Sequence, residues 1–287
     1  MQPTTTDAGG RGDLVELNPP VPLLAGPVQM WRHLRAHRHI VSNFIQRDLR
    51  LKYRDSAFGF FWSLLEPLLL SAVYFILFVI IAGTPHPRVP LWIIVGVITW
   101  QVFSKALNAS VTSLTKNDGL IKQAYFPREV YAVTATGAQL ILASSSLLVA
   151  VPFMIYFRIT PTPYLLMVPV GLLLSASLAL GVGLMFACVN VVNRDIEHLF
   201  KFITRAGMFL SPVMWTVDMP RGRAAALDYI FWNPMAVPLT MVRNGIDGRP
   251  LGVDPLFVLY SIAFCLLSLV AGAIIFRRYE AVVVKKL

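Results

Sequence analysis

Apolar positions set the outline of this chain before any motif does. Ile40, Val41, Phe44, Ile45 and Leu49 recur at three- and four-residue spacing, which puts them on one face of a helix. Arg35, Arg38, Arg47, Arg50 and Arg54 make up a cationic remainder. Such a helix can lie at a membrane surface, its apolar face at the headgroup boundary and its arginines toward anionic lipid. A solvated basic helix that only fixes topology fits the charges alone equally well. From Phe60 the pattern changes to long apolar runs. Six are long enough for a hydrocarbon core, which takes about 20 residues each: 60–82, 91 to about 113, 129–156, 164–192, 199–215 and 255–276. The second is strongly apolar to Phe103 and then grows polar through Lys105, Asn108, Ser110, Thr112 and Ser113.

The connections carry the stop signals. Proline-rich turns at 83–90 and 158–163 end helices, because proline removes a donor and clashes with the preceding turn. The stretch 216–254, with Asn233-Pro234 at its middle, is too broken to span and too apolar for a free loop. It reads as short helices dipping into the outer membrane surface, since non-helical backbone at that depth survives only against protein or water. The expected architecture is an all-α integral membrane protein. It comprises a disordered cytoplasmic tail (1–29), an amphipathic interfacial helix (30–58), six transmembrane helices with outer re-entrant helices between spans five and six (59–276), and a basic cytoplasmic C-terminus (277–287). Residues 1–29 are rich in Pro, Gly and Thr and lack an apolar core segment, so no secretory signal is expected there.

Charge orients the spans. With both ends inside, the cytoplasmic segments hold eight Lys and Arg before the first span, four at the C-terminus and three in each of the loops 114–128 and 193–205. The three outer segments together hold six, four of them in 216–254. That is the positive-inside bias, and it accounts for a net charge of +10 without nucleic acid. The 287 residues are 56% hydrophobic and 14% charged, against about 25% charged in soluble domains, which leaves little for a separate soluble domain. Cys188 and Cys265 sit inside apolar runs and read as inert packing residues.

Candidate chemistry is sparse. No phosphate loop of the Gly-x-x-x-x-Gly-Lys-Ser/Thr type is present, and no His, Cys, Asp or Glu cluster has metal-ligand spacing. His33, His37 and His39 fall on the basic helix and read as solvated or interfacial. If the chain drives transport, another subunit must hydrolyse the nucleotide. The loop 114–129 holds a short helix capped by Asn117 or Asp118. Leu120, Ile121, Tyr125 and Phe126 give its apolar face and Lys122 a charged one, and Pro127 ends it. Exposed aromatics there need a partner groove or the chain's own first helix. Two charges fall inside spans: Lys105, facing a lipid pyrophosphate, a sugar hydroxyl or the inner surface, and Glu66, expected to pair with a basic residue of the interfacial helix such as Arg54.

The Arg-Asp-Leu-x-Leu-x-Tyr-Arg segment from Arg47 to Arg54, the Ser56–Trp62 Gly/aromatic run, Pro67 and the Leu-Ile-Lys-x-x-x-Phe-Pro-Arg-Glu loop from Leu120 to Glu129 together carry a resemblance. The chain resembles the transmembrane subunit of type-2 ABC exporters of bacterial polysaccharides, which move O-antigen, capsule, teichoic acid and cell-wall galactan. The resemblance covers about residues 31–286. It implies a homodimer in the cytoplasmic membrane, bound to two separate ATPase subunits that hold the ATP and Mg, with no cofactor in this chain. It places Asn117, Leu120, Ile121, Lys122, Tyr125, Phe126, Pro127 and Arg128 in the region that rests on the ATPase, with Arg194 to His198, Glu197 among them, as a second contact. It places Arg47, Arg50, Lys52 and Arg54 on the interfacial helix near the pyrophosphate of the lipid carrier, and Asn233 and Pro234 at the exit.

A glycan path needs sequence-tolerant contacts, which aromatic faces and polar side chains offer. Candidates are Trp62, Tyr74, Trp92, Trp100, Phe103, Lys105 and Trp215. Trp92, near a span end, reads as an interface anchor; Trp100 and Phe103 lie deeper and are favoured for the path. The expected function is the permease subunit of an exporter of lipid-linked polysaccharide. Alternatives are an ABC-2 exporter of drugs or small lipids, a polyprenyl-phosphate-dependent membrane glycosyltransferase, for which Asp195 and Glu197 beside Arg194 supply few acidic groups, and a structural scaffold.

Overall fold

At membrane depth the backbone must satisfy its own polar groups, and helices do so within one segment. The computed structural model describes residues 25–54, 56–81, 86–123, 127–215 and 229–284, and these form helices and turns without a strand. Four helical stretches among them are long and apolar enough to cross a membrane: Val89–Val111, Glu129–Tyr156, Pro163–Val192 and Pro255–Glu280.

In chain order the helices are α1 (Ala25–Ala36), α2 (Arg38–Tyr53), α3 (Trp62–Phe75), α4 (Val89–Val111), α5 (Ser113–Lys116), α6 (Asp118–Gln123), α7 (Glu129–Ser146), α8 (Ala150–Tyr156), α9 (Met167–Val192), α10 (Asp195–Leu210), α11 (Ala236–Asp247) and α12 (Pro255–Val284). The bundle is built around α9, which packs on α4, α11 and α12. Its contact with α12 is a backbone contact: a Cβ on Gly181 would strike Ser268, and one on Gly272 would strike Gly181. Small residues permit this approach where lipid supplies no hydrophobic drive between helices. Between α7 and α8 the helix tightens into a 3-10 turn, Leu147–Val149. Pro152, in the first turn of α8, lacks the amide that an unbroken α-helix would use there.

The remaining apolar runs depart from simple spans. Residues 59–81 begin as a 3-10 turn at Gly59–Phe61, become α3, and widen into a π-helix at Ile76–Ile81. The stretch expected as the fifth span starts earlier than residue 199 and is amphipathic: α10 has 16 residues, about 24 Å at 1.5 Å each. It buries Phe200, Thr204 and Met208 at four-residue spacing and exposes Phe202, Ile203, Phe209 and Leu210.

Other expectations shift as well. Residues 1–24 of the expected disordered tail lie outside the described residues. Residues 25–29 are helical and belong to α1, where Gly26 meets the backbone of Ile274 on α12. The interfacial segment is two helices that break at His37, not one. The last helix does not stop at Phe276 but runs to Val284, so Arg277 is a helical residue paired with Glu280 at the turn above, not a free tail charge. Cys188 and Cys265 are free and buried.

Candidate functional site

The end of the bundle that carries α5 and α6 gathers the residues expected to meet a partner. Asn117 does not cap α6 through its side chain. Its Nδ2 donates to the Ser113 carbonyl at 2.8 Å, and its Oδ1 accepts from Arg47 Nη2 at 3.3 Å. Arg47 also donates to Asp48 and lies over the Phe44 ring, 4.3 Å from its centroid. One arginine thus clamps α2 to the α5–α6 corner. Ile121 is buried with Met30, Leu114, Tyr131 and Leu184, while Leu120 and Lys122 face outward. Lys122 pairs with Asp118 at 2.9 Å. Pro127 and Arg128 are half-buried; Tyr125 and Phe126 lie outside the described residues. Near the end of α9, Asn190 closes on the same corner: its Nδ2 donates to Thr115 Oγ1 at 3.4 Å. Arg194 is exposed, and Glu197 accepts from Lys201 at 2.9 Å. That hydrogen bond, helped by the charges of Lys201, His198 and Lys116, holds the Glu197 carboxyl below its ordinary range. Arg47 thus joins α2 to the α5–α6 loop, and the Lys116 charge on Glu197 sets the start of α10 beside that loop.

This end has a second polar knot that spacing alone did not expose. His33 Nδ1 lies 3.1 Å from Glu129 Oε1 and 3.1 Å from Arg277 Nη2, and Arg277 donates to Glu280. Glu129 and Glu280 are buried. α1 is thereby fastened to the start of α7 and the end of α12. Among the described residues no three His, Cys, Asp or Glu side chains gather as metal ligands.

Between α2, α3, α4 and α7 lies a polar cleft lined by Lys52, Tyr53, Ser63, Glu66, Gln101, Lys105, Gln139 and Ser146. Lys105 Nζ donates to both oxygens of Glu66, at 2.7 and 2.8 Å, and to Gln101 Oε1 at 3.0 Å. The carboxylate expected to meet Arg54 is thus held by Lys105, because one turn of α3 sets it opposite the polar half of α4. Lys52 sits exposed at the rim, its ammonium 5.4 Å from the Tyr53 ring centroid. Burial of the ammonium among protein groups, and then the Lys105 charge, push its pKa down to about 8, against the pull of Glu66. Arg50 and Arg54 point outward, Arg50 toward Gln46.

The aromatic residues separate into two kinds. Trp62 is exposed and edge-on to Phe58. Tyr74 donates to Met208 Sδ at 3.6 Å, and Phe103 is half-buried. Trp100 is buried: its Nε1 donates to the Thr204 carbonyl at 3.2 Å, and its ring lies against Gly207. Trp92 is no surface anchor. It is buried, stacked on His86, and donates to Asp247 Oδ2 at 3.1 Å.

At the opposite end α11 is enclosed rather than laid on a surface, with all but one of its residues buried. Asn233 donates to Ser211 Oγ at 2.8 Å and caps Met235, and the Pro234 carbonyl accepts from Ser261 at 2.8 Å. Trp215 offers its carbonyl to Arg243. Asp247, buried, accepts from Arg88 at 2.8 Å and from Arg249 at 2.8 Å. Arg243 and Asp247 were not singled out from the sequence. Their spacing of four within an apolar stretch was the available signal.

The sequence profile of the ABC-2 type transporter family matches residues 41–246. The O-antigen export system permease protein RfbA of Myxococcus xanthus is 24% identical over 88% of this chain and 98% of its own length. RfbA of Klebsiella pneumoniae is 24% identical over 82% of this chain and 89% of its own. The polysialic acid transport protein KpsM of Escherichia coli is 23% identical over 84% of this chain and 93% of its own. Most of α2, the helical corner clamped to it and nearly all of the enclosed α11 fall within the matched span, and the chain is an integral membrane protein of the ABC-2 type transporter family.

Proposed function

We propose that this chain is the permease subunit of an exporter that carries a lipid-linked polysaccharide across the cytoplasmic membrane. Two copies form the path, with both termini inside, six spans in each, and the 216–254 stretch closing the outer exit. Separate ATPase subunits bind ATP and Mg and press on the α5–α6 corner and the start of α10. The observation that carries the reading is the match along nearly the full chain to permeases named for O-antigen and polysialic acid transport.

The geometry supports a second copy. Trp62, Glu66, Leu69 and Val73 fall on one face of α3, and Trp62, Leu69 and Val73 are exposed. Half of the Glu66 side chain is exposed as well. An ionised group at that level is costly against lipid and faces protein or water instead. A water-filled seam between two copies meets that need. Trp62 and Phe103 then offer weak, sequence-tolerant contacts to sugars, while Trp100 positions α10 against α4.

Inside-out membrane vesicles that hold the chain with its ATP-binding partner test the reading. Uptake of labelled lipid-linked polysaccharide on addition of ATP is expected. Uptake of small lipids or drugs alone would move the chain to the other branch of the family.

A further inference from the structure

One nitrogen in the second polar knot faces two partners that it cannot serve at once. His33 Nδ1, on α1, lies 3.1 Å from Glu129 Oε1 at the start of α7 and 3.1 Å from Arg277 Nη2 near the end of α12. A ring nitrogen that carries a proton donates it to the carboxylate and has no lone pair for the guanidinium. Without the proton it accepts from Arg277 and offers Glu129 nothing. The two contacts therefore belong to two protonation states of the knot.

Burial decides which state holds α1. The Glu129 side chain is 0% exposed, and His33 is its one hydrogen-bond partner among the described residues. Its other oxygen is buried without a partner there, as is the second oxygen of Glu280. A buried carboxylate left without a cation is strongly unfavourable, while a place in the first turn of α7 favours its ionised form. The permanent cations nearby do not complete the charge. Arg277 is bonded to Glu280 at 2.6 Å, Arg128 acts on Glu280 only at a distance, and Arg47 of α2 is turned to Asp48 and Asn117. From α9 the Cys188 thiol faces Glu280. α1 itself adds Gln29, which accepts from Arg277 at 3.5 Å, and His37, whose Nδ1 lies 2.9 Å from the His33 carbonyl. His33 is the group that can supply the missing charge, and its ring, 36% exposed, is open to protons from water.

We infer that His33 is a proton-operated latch for α1. Charged, it binds the Glu129 carboxylate and fastens α1 across α7 and α12. Neutral, it passes to Arg277, leaves Glu129 without its partner and lets α1 loosen. The bond belongs to the charged ring, so it is complete at low pH and lost as the pH rises. Imidazole suits the task because it changes charge between about pH 5 and pH 8. Met30, one turn before His33, is buried with Leu114 of α5 and Ile121 of α6. A loosened α1 therefore takes away the floor of the α5–α6 corner. The latch regulates the surface that the proposed function gives to the ATP-binding subunit, and this consequence rests on that reading, whereas the latch itself does not.

Hydrogen–deuterium exchange of the full chain in detergent follows α1 directly, with rates corrected for the intrinsic pH dependence of amide exchange. Peptides covering 25–36 are expected to exchange about tenfold faster at about pH 8.5 than at about pH 6, the factor of one charge-assisted bond. Peptides of α9 should hold steady. His33→Gln should exchange at the fast level at both pH values. Glu129→Gln keeps an acceptor of the same shape without the charge, and the pH difference should vanish there with the bundle intact. His37→Gln should retain the difference. Equal corrected rates in the native chain overturn the latch, as does a difference that survives in His33→Gln or Glu129→Gln, vanishes in His37→Gln, or spreads equally to α9. Transport is not read in this assay, so a chain that shows the latch and moves no glycan overturns only the export reading.

Discussion

The guanidinium of Arg243 donates to the carbonyl of Val213 at 2.9 Å, across 30 residues of chain. It also reaches the carbonyls of Pro212, Trp215 and Trp92. The turn after α10 has left the helical ladder, and its carbonyls would otherwise be buried without donors. One buried cation, 4% exposed, replaces the missing helical bonds. Arg243→Met is expected to cost about 3 kcal/mol, since bonds to charged groups are the dearer ones to lose. Thermal unfolding in detergent reads this, and Arg243→Lys should recover part of the loss.

Gly96 makes that turn possible. A Cβ there would run into the Val213 carbonyl and lie 2.8 Å from Arg243 Nη2. Gly96→Ala is expected to destabilise by about 1–3 kcal/mol, the usual range for overpacking. The same unfolding assay checks it; a neutral result would mean the 212–215 turn moves aside freely.

Leu120 faces outward from α6 while its neighbour Ile121 is core. Leu120→Asp should leave the unfolding temperature unchanged and reduce co-purification of the ATP-binding subunit. Ile121→Asp should unfold the corner instead. Equal partner recovery in Leu120→Asp would remove α6 from the coupling surface.

Lys52 carries a stability signature with a definite sign. Its pKa is depressed to about 8 in the folded chain, against about 10.4 in a free chain. The cost of keeping it charged is therefore fully present below pH 8, declines as the pH rises, and is gone above the free-chain value. Lys52→Met should raise the unfolding temperature at pH 7, and the gain should shrink between pH 8 and pH 10.

On the proposed dimer, α3 of each copy lines the seam. Leu69→Cys should form an oxidative cross-link between copies in membranes, with little background from Cys188 and Cys265, which are buried. Persistence of monomer under oxidation would place α3 against lipid.

Periodicity disclosed the helices because α9 is apolar along its whole length and α4 and α12 along most of theirs, and a helix at membrane depth has no other way to satisfy its backbone. It did not disclose that α11 is enclosed, because its Arg243 and Asp247 look like surface charges until their carbonyl and guanidinium partners are in view. Glu66 shows the same limit. A carboxylate one turn into a span announces that it has a partner, but the choice between Arg54 and Lys105 depends on how α3 is rotated against α4. The short helix α6 was readable in the loop after Asn117, yet the split between Leu120 outside and Ile121 inside follows from the seat of α1 and α7 beneath it.

The central claim is export of a lipid-linked polysaccharide, and depletion of this chain in its host tests it most directly. Polyprenyl-linked sugars are extracted and their glycans sized. The account predicts a build-up of long, complete, lipid-linked polymer inside the cell, since synthesis continues while exit is closed. Loss of polymer or arrest at a short intermediate would contradict it and point to a synthetic enzyme, and no change in any lipid-linked glycan would remove polysaccharide as the cargo.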